Sequence, residues 1–211
     1  MKRILVIEDD IVMQEIIMEA LEPLGHELDG ADNGKMGLTL HSEDPYDLII
    51  TDIIMPDMEG LETIRSVRRI EGNTKIIAIT GSCGKTTLKE LLGSSLKKIS
   101  KVSTSSKSYN NKYGVPLSLF NIDQKDQYGV LEIGMDKKGE IDSLSKIIQP
   151  DVSVITNINY AHAKNFSNIR QIALAKSEII YNTKNNGFLI LNSDDNFFNL
   201  QKKIALKKNI N

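Results

Sequence analysis

The stretch KIIAITGSCGKTTLKE, residues 75–90, decides the fold, because two patterns claim its first half. Taken with residues 1–74, KIIAIT is the fourth strand of an acidic βα unit. Taken with residues 81–90, it feeds a glycine-rich loop and a helix, the setting of a phosphate-binding loop. Both demands can be met only if one neighbour is displaced or the two sheets merge. The loop and the helix after it are continuous with the strand, so it is expected to stay with them. The acidic unit is then expected to pack beside that sheet or extend it.

Composition divides at the same place. Residues 1–74 hold 6 basic and 17 acidic residues, a net −11, and residues 75–211 hold 20 and 11, a net +9. Six of the seven methionines lie in the first part, and 15 of the 17 asparagines in the second. Such a shift marks segments of different origin, and the expected domains are 1–74 and 75–211. The lysines of the second part have no interleaved aromatic stripe, so they read as a solvated surface with no nucleic-acid partner. No apolar run approaches the ~20 residues of a membrane helix, and the N-terminus lacks a signal-peptide core; no membrane segment and a cytoplasmic location are expected. A lone cysteine, Cys83, excludes an internal disulfide framework and a Cys-based zinc site.

Short apolar runs alternate with helical periodicity, which predicts an α/β fold with parallel sheets. Strands are expected at 3–7, 26–30, 48–51, 76–80, 101–104, 129–133, 152–156 and 187–191. Helices are expected at 12–21, 34–41, 60–70, 85–97, 115–120, 141–148, 169–181 and 197–206. The polar segment SSKSYNNKYG, 105–114, reads as a loop.

Glu8, Asp9 and Asp10 end the first strand and Asp52 the third. Functional groups gather beyond the carboxyl ends of parallel strands, and converging carboxylates need a cation such as Mg²⁺. Asp10 can instead cap the helix after it. ILVIEDD followed by DLIITDIIMPDMEGLE resembles the receiver domain of two-component response regulators, a flavodoxin-like fold. The resemblance implies that Asp52 accepts a phosphoryl group from a histidine kinase partner. It also implies that Glu8, Asp9 and Asp52 hold Mg²⁺, that Met55, Pro56 and Gly60 shape the adjoining loop, and that Thr80 is the switch hydroxyl. A receiver would continue into a fifth strand ending in Lys-Pro, and nothing after Thr80 reads that way.

In TGSCGKTT the loop Gly81, Ser82, Cys83, Gly84, Lys85, Thr86 and Thr87 can cradle phosphate through backbone N–H groups and a helix N-terminus. Lys85 adds a mobile cation, and Thr86 offers a hydroxyl to Mg²⁺. The general phosphate-loop pattern asks for Gly where Ile79 stands. That loop, with NNKYGVPLSL (110–119), LEIGMDKKGEI (131–141), TNINYAH (156–162) and ALAKSEI (173–179), resembles the central ATPase domain of Mur ligases. The nearest pattern is the MurF type, UDP-N-acetylmuramoyl-tripeptide:D-alanyl-D-alanine ligase of peptidoglycan synthesis. The resemblance implies ATP and Mg²⁺ as cofactors, with Lys85, Glu132, His162 and Lys176 as catalytic residues. Glu132 and His162 would hold a second Mg²⁺, and Lys176 would carry a carbamate.

The implied reaction forms an acyl phosphate from a carboxylate and ATP, then an amide. In that family a UDP-sugar-binding domain precedes the ATPase domain and an amine-binding domain comes after it. Both units here read as incomplete, and full ligation is not expected of this polypeptide alone; a UDP-MurNAc-peptide would be met only with other domains. The alternatives are a phosphorylatable receiver with an attached nucleotide-binding module, or two joined genes without a selected function.

Overall fold

A computed structural model describes residues 1–52, 55, 74–123, 125–160, 165–208 and 210. The chain divides into two compact units, Met1–Glu71 and Gly72–Asn211. The expected helix at 60–70, together with Pro56, Gly60 and His162, lies outside the described residues.

In the first unit β1 (Arg3–Ile7), β2 (Glu27–Ala31) and β3 (Leu48–Thr51) form a parallel sheet of order β2-β1-β3. The central strand RILVI is buried from Ile4 to Ile7, as a strand flanked on both edges requires. Its core joins Leu5, Ile7, Ala31, Tyr46 and Met55. Helix α1 (Ile11–Leu21) starts where the Asp10 carboxylate accepts hydrogen bonds from the Val12 and Met13 amides at 2.9 and 3.2 Å. Asn33 likewise caps α2 (Gly34–Glu43). Gly37 lets α2 lie against β1: a Cβ there would sit 2.3 Å from Ile7 Cδ1.

The second unit is a five-stranded parallel sheet of order β5-β6-β4-β7-β8, made from β4 (Lys75–Thr80), β5 (Val102–Thr104), β6 (Tyr128–Glu132), β7 (Val152–Ile155) and β8 (Phe188–Leu191). The contested strand is its centre. β4 pairs with β6 through Lys75–Tyr128 to Ile79–Glu132, and with β7 through Ile77–Val152 to Thr80–Ile155. β3 pairs with β1. Among the described residues the acidic unit therefore keeps its own sheet and does not extend the other one.

Alternate residues of β4 serve the two faces, the period-2 rule of a strand. Ile77 and Ile79 pack with Leu88, Leu92 and Leu96 of α3 (Lys85–Leu96). Ile76 and Ala78 join the larger core on the other face, with Val115 of α4 (Gly114–Phe120), Ile141 and Leu144 of α5 (Glu140–Ile148), Ile172 of α6 (Ile169–Lys176) and Ile179 of α7 (Glu178–Asn182). The last helix is α8 (Phe198–Lys208).

One expected helix, 169–181, is two. Ser177 is buried, its backbone relaxes to ψ −9°, and its hydroxyl bonds the Ala173 carbonyl at 2.7 Å. Back-bonding of a buried serine bends the helix there. Among the described residues no helix is long and apolar enough to cross a membrane.

Candidate functional site

The central strand β4 ends in the loop 81–84, and α3 begins at Lys85. Gly81 has φ +145° and Gly84 φ +79°, conformations that glycine adopts without strain. Gly84 is the residue before the helix, and a Cβ there would meet nothing within 4 Å, so the space beside it is open. The first-turn amides of α3, at Lys85, Thr86 and Thr87, have no acceptor within the helix and carry the positive end of its dipole.

The β7–α6 connection fixes the loop from one side. The Ser82 amide donates to the Asn157 carbonyl at 2.9 Å, and the Cys83 amide to Asn157 Oδ1 at 3.0 Å. The Thr156 hydroxyl donates to the Cys83 carbonyl at 2.6 Å. The Ser82 hydroxyl donates to the Asn159 carbonyl at 2.9 Å and accepts from the Asn159 amide at 2.8 Å. Asp195, in the turn before α8, accepts the Ile158 amide at 2.6 Å and so steadies that connection.

Two lysines converge on one carbonyl. Lys85 Nζ and Lys176 Nζ each donate to the Gly81 oxygen at 3.0 Å. Lys176 is buried at the end of α6, and burial, with the nearby Lys85 charge, pushes its pKa down to about 8.

At the end of β6, Glu132 is 1% exposed. Its Oε2 accepts the Thr86 hydroxyl at 2.7 Å and its Oε1 accepts the Asn110 amide at 2.7 Å. Among the described residues these neutral donors are its side-chain partners, so a buried carboxylate and an adjacent hydroxyl stand together without a cation partner. This is a hard-oxygen donor set, and it fits Mg²⁺.

Lys85, Thr86, Glu132 and Lys176 thus come together around Gly81, Ser82, Cys83 and Gly84, with Thr87 exposed on the first turn of α3. Thr80 is fully buried in β4, and its neighbours are β6 and β7. The receiver pattern would set it beside the Asp52 strand, but β4 pairs with β6 and β7 and not with β3. In the first unit, oxygens of Glu8, Asp9 and Asp52 lie within 4.8 Å of one another. Asn110, Thr156, Asn157 and Asn159 lie inside the sequence motifs, yet nothing in those motifs gives them a role; their part depends on contacts across the sheet that the local pattern does not encode.

Residues 79–211 match the family model described as Mur ligase middle domain. The chain belongs to this family. Residues 4–101 match the response regulator receiver domain model, so the two matches overlap from 79 to 101. The β4–loop–α3 segment in that overlap is built into the Mur ligase sheet.

Among curated relatives, the UDP-N-acetylmuramoyl-tripeptide--D-alanyl-D-alanine ligase of Buchnera aphidicola subsp. Acyrthosiphon pisum is 42% identical over 142 residues, 67% of this chain and 31% of the relative. The Bacillus subtilis enzyme of that name is 39% identical over 138 residues, 65% of this chain and 30% of the relative. The crystal structure of MurF from Acinetobacter baumannii superimposes with a TM-score of 0.68 at 33% identity, covering 76% of this chain and 38% of that one. MurF from Thermotoga maritima in complex with ADP gives 0.65 at 29% identity, covering 80% and 42%. The chain spans about a third of the length of the curated relatives it matches.

Proposed function

We propose that the second unit is the ATP-binding centre of a MurF-type ligase in the cytoplasm. The observation that carries this is the glycine loop at the end of the central strand, with Lys85 and Lys176 on the Gly81 carbonyl and Thr86 on Glu132. The loop would receive the ATP phosphates on the first-turn amides of α3, as expected of helix N-termini. Lys85 would leave its own loop carbonyl to meet them. Mg²⁺, held by Thr86 and Glu132, would offset phosphate charge, and His162 is proposed as a further ligand.

Lys176 has a second part in this reading. Burial favours its neutral amine, and that amine can add to CO₂ with loss of a proton to give a carbamate. The residue would then present an anion near the metal where it now presents a cation. With its flanking domains, the unit would activate a UDP-MurNAc-tripeptide carboxylate for amide formation with D-alanyl-D-alanine.

Mg²⁺-dependent ATP binding by the full chain and by Lys85→Ala tests the proposal. The chain should bind, and loss of a charged hydrogen-bonding group should weaken binding roughly tenfold or more. Equal binding by both proteins, or none by either, refutes it.

The Glu8, Asp9 and Asp52 cluster supports a second reading for the first unit: a Mg²⁺ site beside a phosphoacceptor Asp52, fed by a histidine kinase. Acetyl phosphate with Mg²⁺ should label the chain but not Asp52→Asn, and absence of label on the chain sinks this reading.

A further inference from the structure

The hydrogen bonds of the Lys89 ammonium go neither to the glycine loop nor to Glu132, yet Lys89 is among the largest fully buried side chains of the described residues, with 0% exposure. It lies one turn after Lys85 on α3. A buried ammonium is costly unless its three N–H groups find acceptors. Here they do: the Ser105 carbonyl at 2.7 Å, the Lys107 carbonyl, and Glu90 Oε1 at 3.1 Å. Two of the three acceptors belong to the polar loop after β5. Lys107 takes φ +46°, uncommon for a residue with a side chain, and its carbonyl is turned to the Lys89 ammonium.

That loop leads to Glu132 by two routes. The Ser105 hydroxyl accepts the Glu132 amide at 3.3 Å, and Asn110 donates its side-chain amide to Glu132 Oε1 at 2.7 Å. The Asn110 carbonyl also accepts the Gly134 amide at 2.7 Å, which sets the loop against the end of β6. Glu132 in turn holds Thr86, in the first turn of the same helix that carries Lys89. The contacts close a ring: α3 through Lys89 to the loop, the loop through Asn110 to Glu132, and Glu132 through Thr86 back to α3.

We propose that Lys89 is a positioning residue for the metal site, holding the 105–110 loop so that Asn110 orients the Glu132 carboxylate toward Thr86. This rests on the Mg²⁺–nucleotide reading of the second unit. Groups that orient a metal ligand from outside change metal affinity by about 10–100-fold when removed. Lys89 acts through Asn110, so the lower end applies.

The test uses the full chain and Lys89→Met, which keeps the apolar stem and removes the donors. Hydrogen exchange should quicken across residues 105–113 while β4 and β6 stay protected. The Mg²⁺ midpoint for ATP binding should rise about tenfold, with ATP affinity in EDTA changed less than about twofold. Asn110→Ala should raise the midpoint similarly, and the double variant should be no worse than either single one, because both cut the same ring.

If Lys89→Met fails to fold, Lys89→Gln, which keeps two donors, replaces it in the same cycle. Unchanged exchange at 105–113, or additive effects of the two substitutions on the midpoint, overturns the proposal. A full chain that binds no Mg²⁺–ATP refutes the nucleotide reading instead, and the exchange measurement still decides whether Lys89 holds the loop.

Discussion

Gly81→Ala measures how tightly the loop is bound to its neighbour strand. At φ +145° an alanine occupies a region that is essentially glycine-only, at a cost of about 1–3 kcal/mol. Its Cβ would also stand 1.9 Å from Thr156 Oγ1, 3.0 Å from Thr156 Cβ and 3.1 Å from the Thr156 amide nitrogen. The hydroxyl can rotate away, but the backbone atom cannot. Rotation forfeits the 2.6 Å bond to the Cys83 carbonyl, about 0.5–1.5 kcal/mol. The second unit should therefore lose about 2–4 kcal/mol. Urea unfolding, monitored by a probe in the second unit, reads this directly, and Thr156→Ala separates the two terms. With Thr156 already alanine, Gly81→Ala should cost only its backbone part. A loss under about 0.5 kcal/mol in the Thr156→Ala background and in the unaltered chain alike would refute the backbone argument.

Lys176 gives a pH signature. Its folded pKa, about 8, lies below the ordinary 10.5, so the unfolded chain binds more protons between these values and stability rises with pH across that window. Lys176→Met should be the more stable protein at pH 7, by up to about 3 kcal/mol, with the gap narrowing toward pH 10.5; a gap independent of pH in urea melts contradicts the assignment. Gly37→Ala should destabilise the first unit by about 1–3 kcal/mol through overpacking against Ile7, and Ile7→Val, which removes the Cδ1 carbon, should recover part of it in the double variant. Asp10→Ala should cost that unit about 1 kcal/mol as α1 loses its cap, seen as a lower urea midpoint.

The strands were legible because a buried parallel strand is a short continuous apolar run, and RILVI and KIIAIT have no other comfortable reading. The loop was legible because glycine takes the positive φ of positions 81 and 84 without strain. Lys89 was not. Beside the Leu88, Leu92 and Leu96 stripe a lysine reads as solvated, and only the loop carbonyls that meet it across space show otherwise. Ser177 was equally silent, since a serine bends a helix or points to water according to burial that local pattern does not determine. The clamp from Thr156, Asn157 and Asn159 joins residues more than 70 positions from the loop they hold.

Why the shared strand goes to the second sheet is a matter of counting edges. In the first sheet, of order β2-β1-β3, the place a receiver gives to KIIAIT is beside β3, where it would gain one neighbour. In the second it has two, with register pairs from Lys75 to Ile79 on the β6 side and from Ile77 to Thr80 on the β7 side. Withdrawing it would split that sheet at its centre and leave β6 and β7 with facing rows of unpaired backbone groups, each costly when buried. It would also strip Ile77 and Ile79 from under α3, and Ile76 and Ala78 from the opposite core. Thr74 already commits the chain before the strand begins, its hydroxyl donating to the Asp126 carbonyl at 2.6 Å. An edge position exchanges two ladders for one, so the second sheet wins by the larger share of backbone hydrogen bonding.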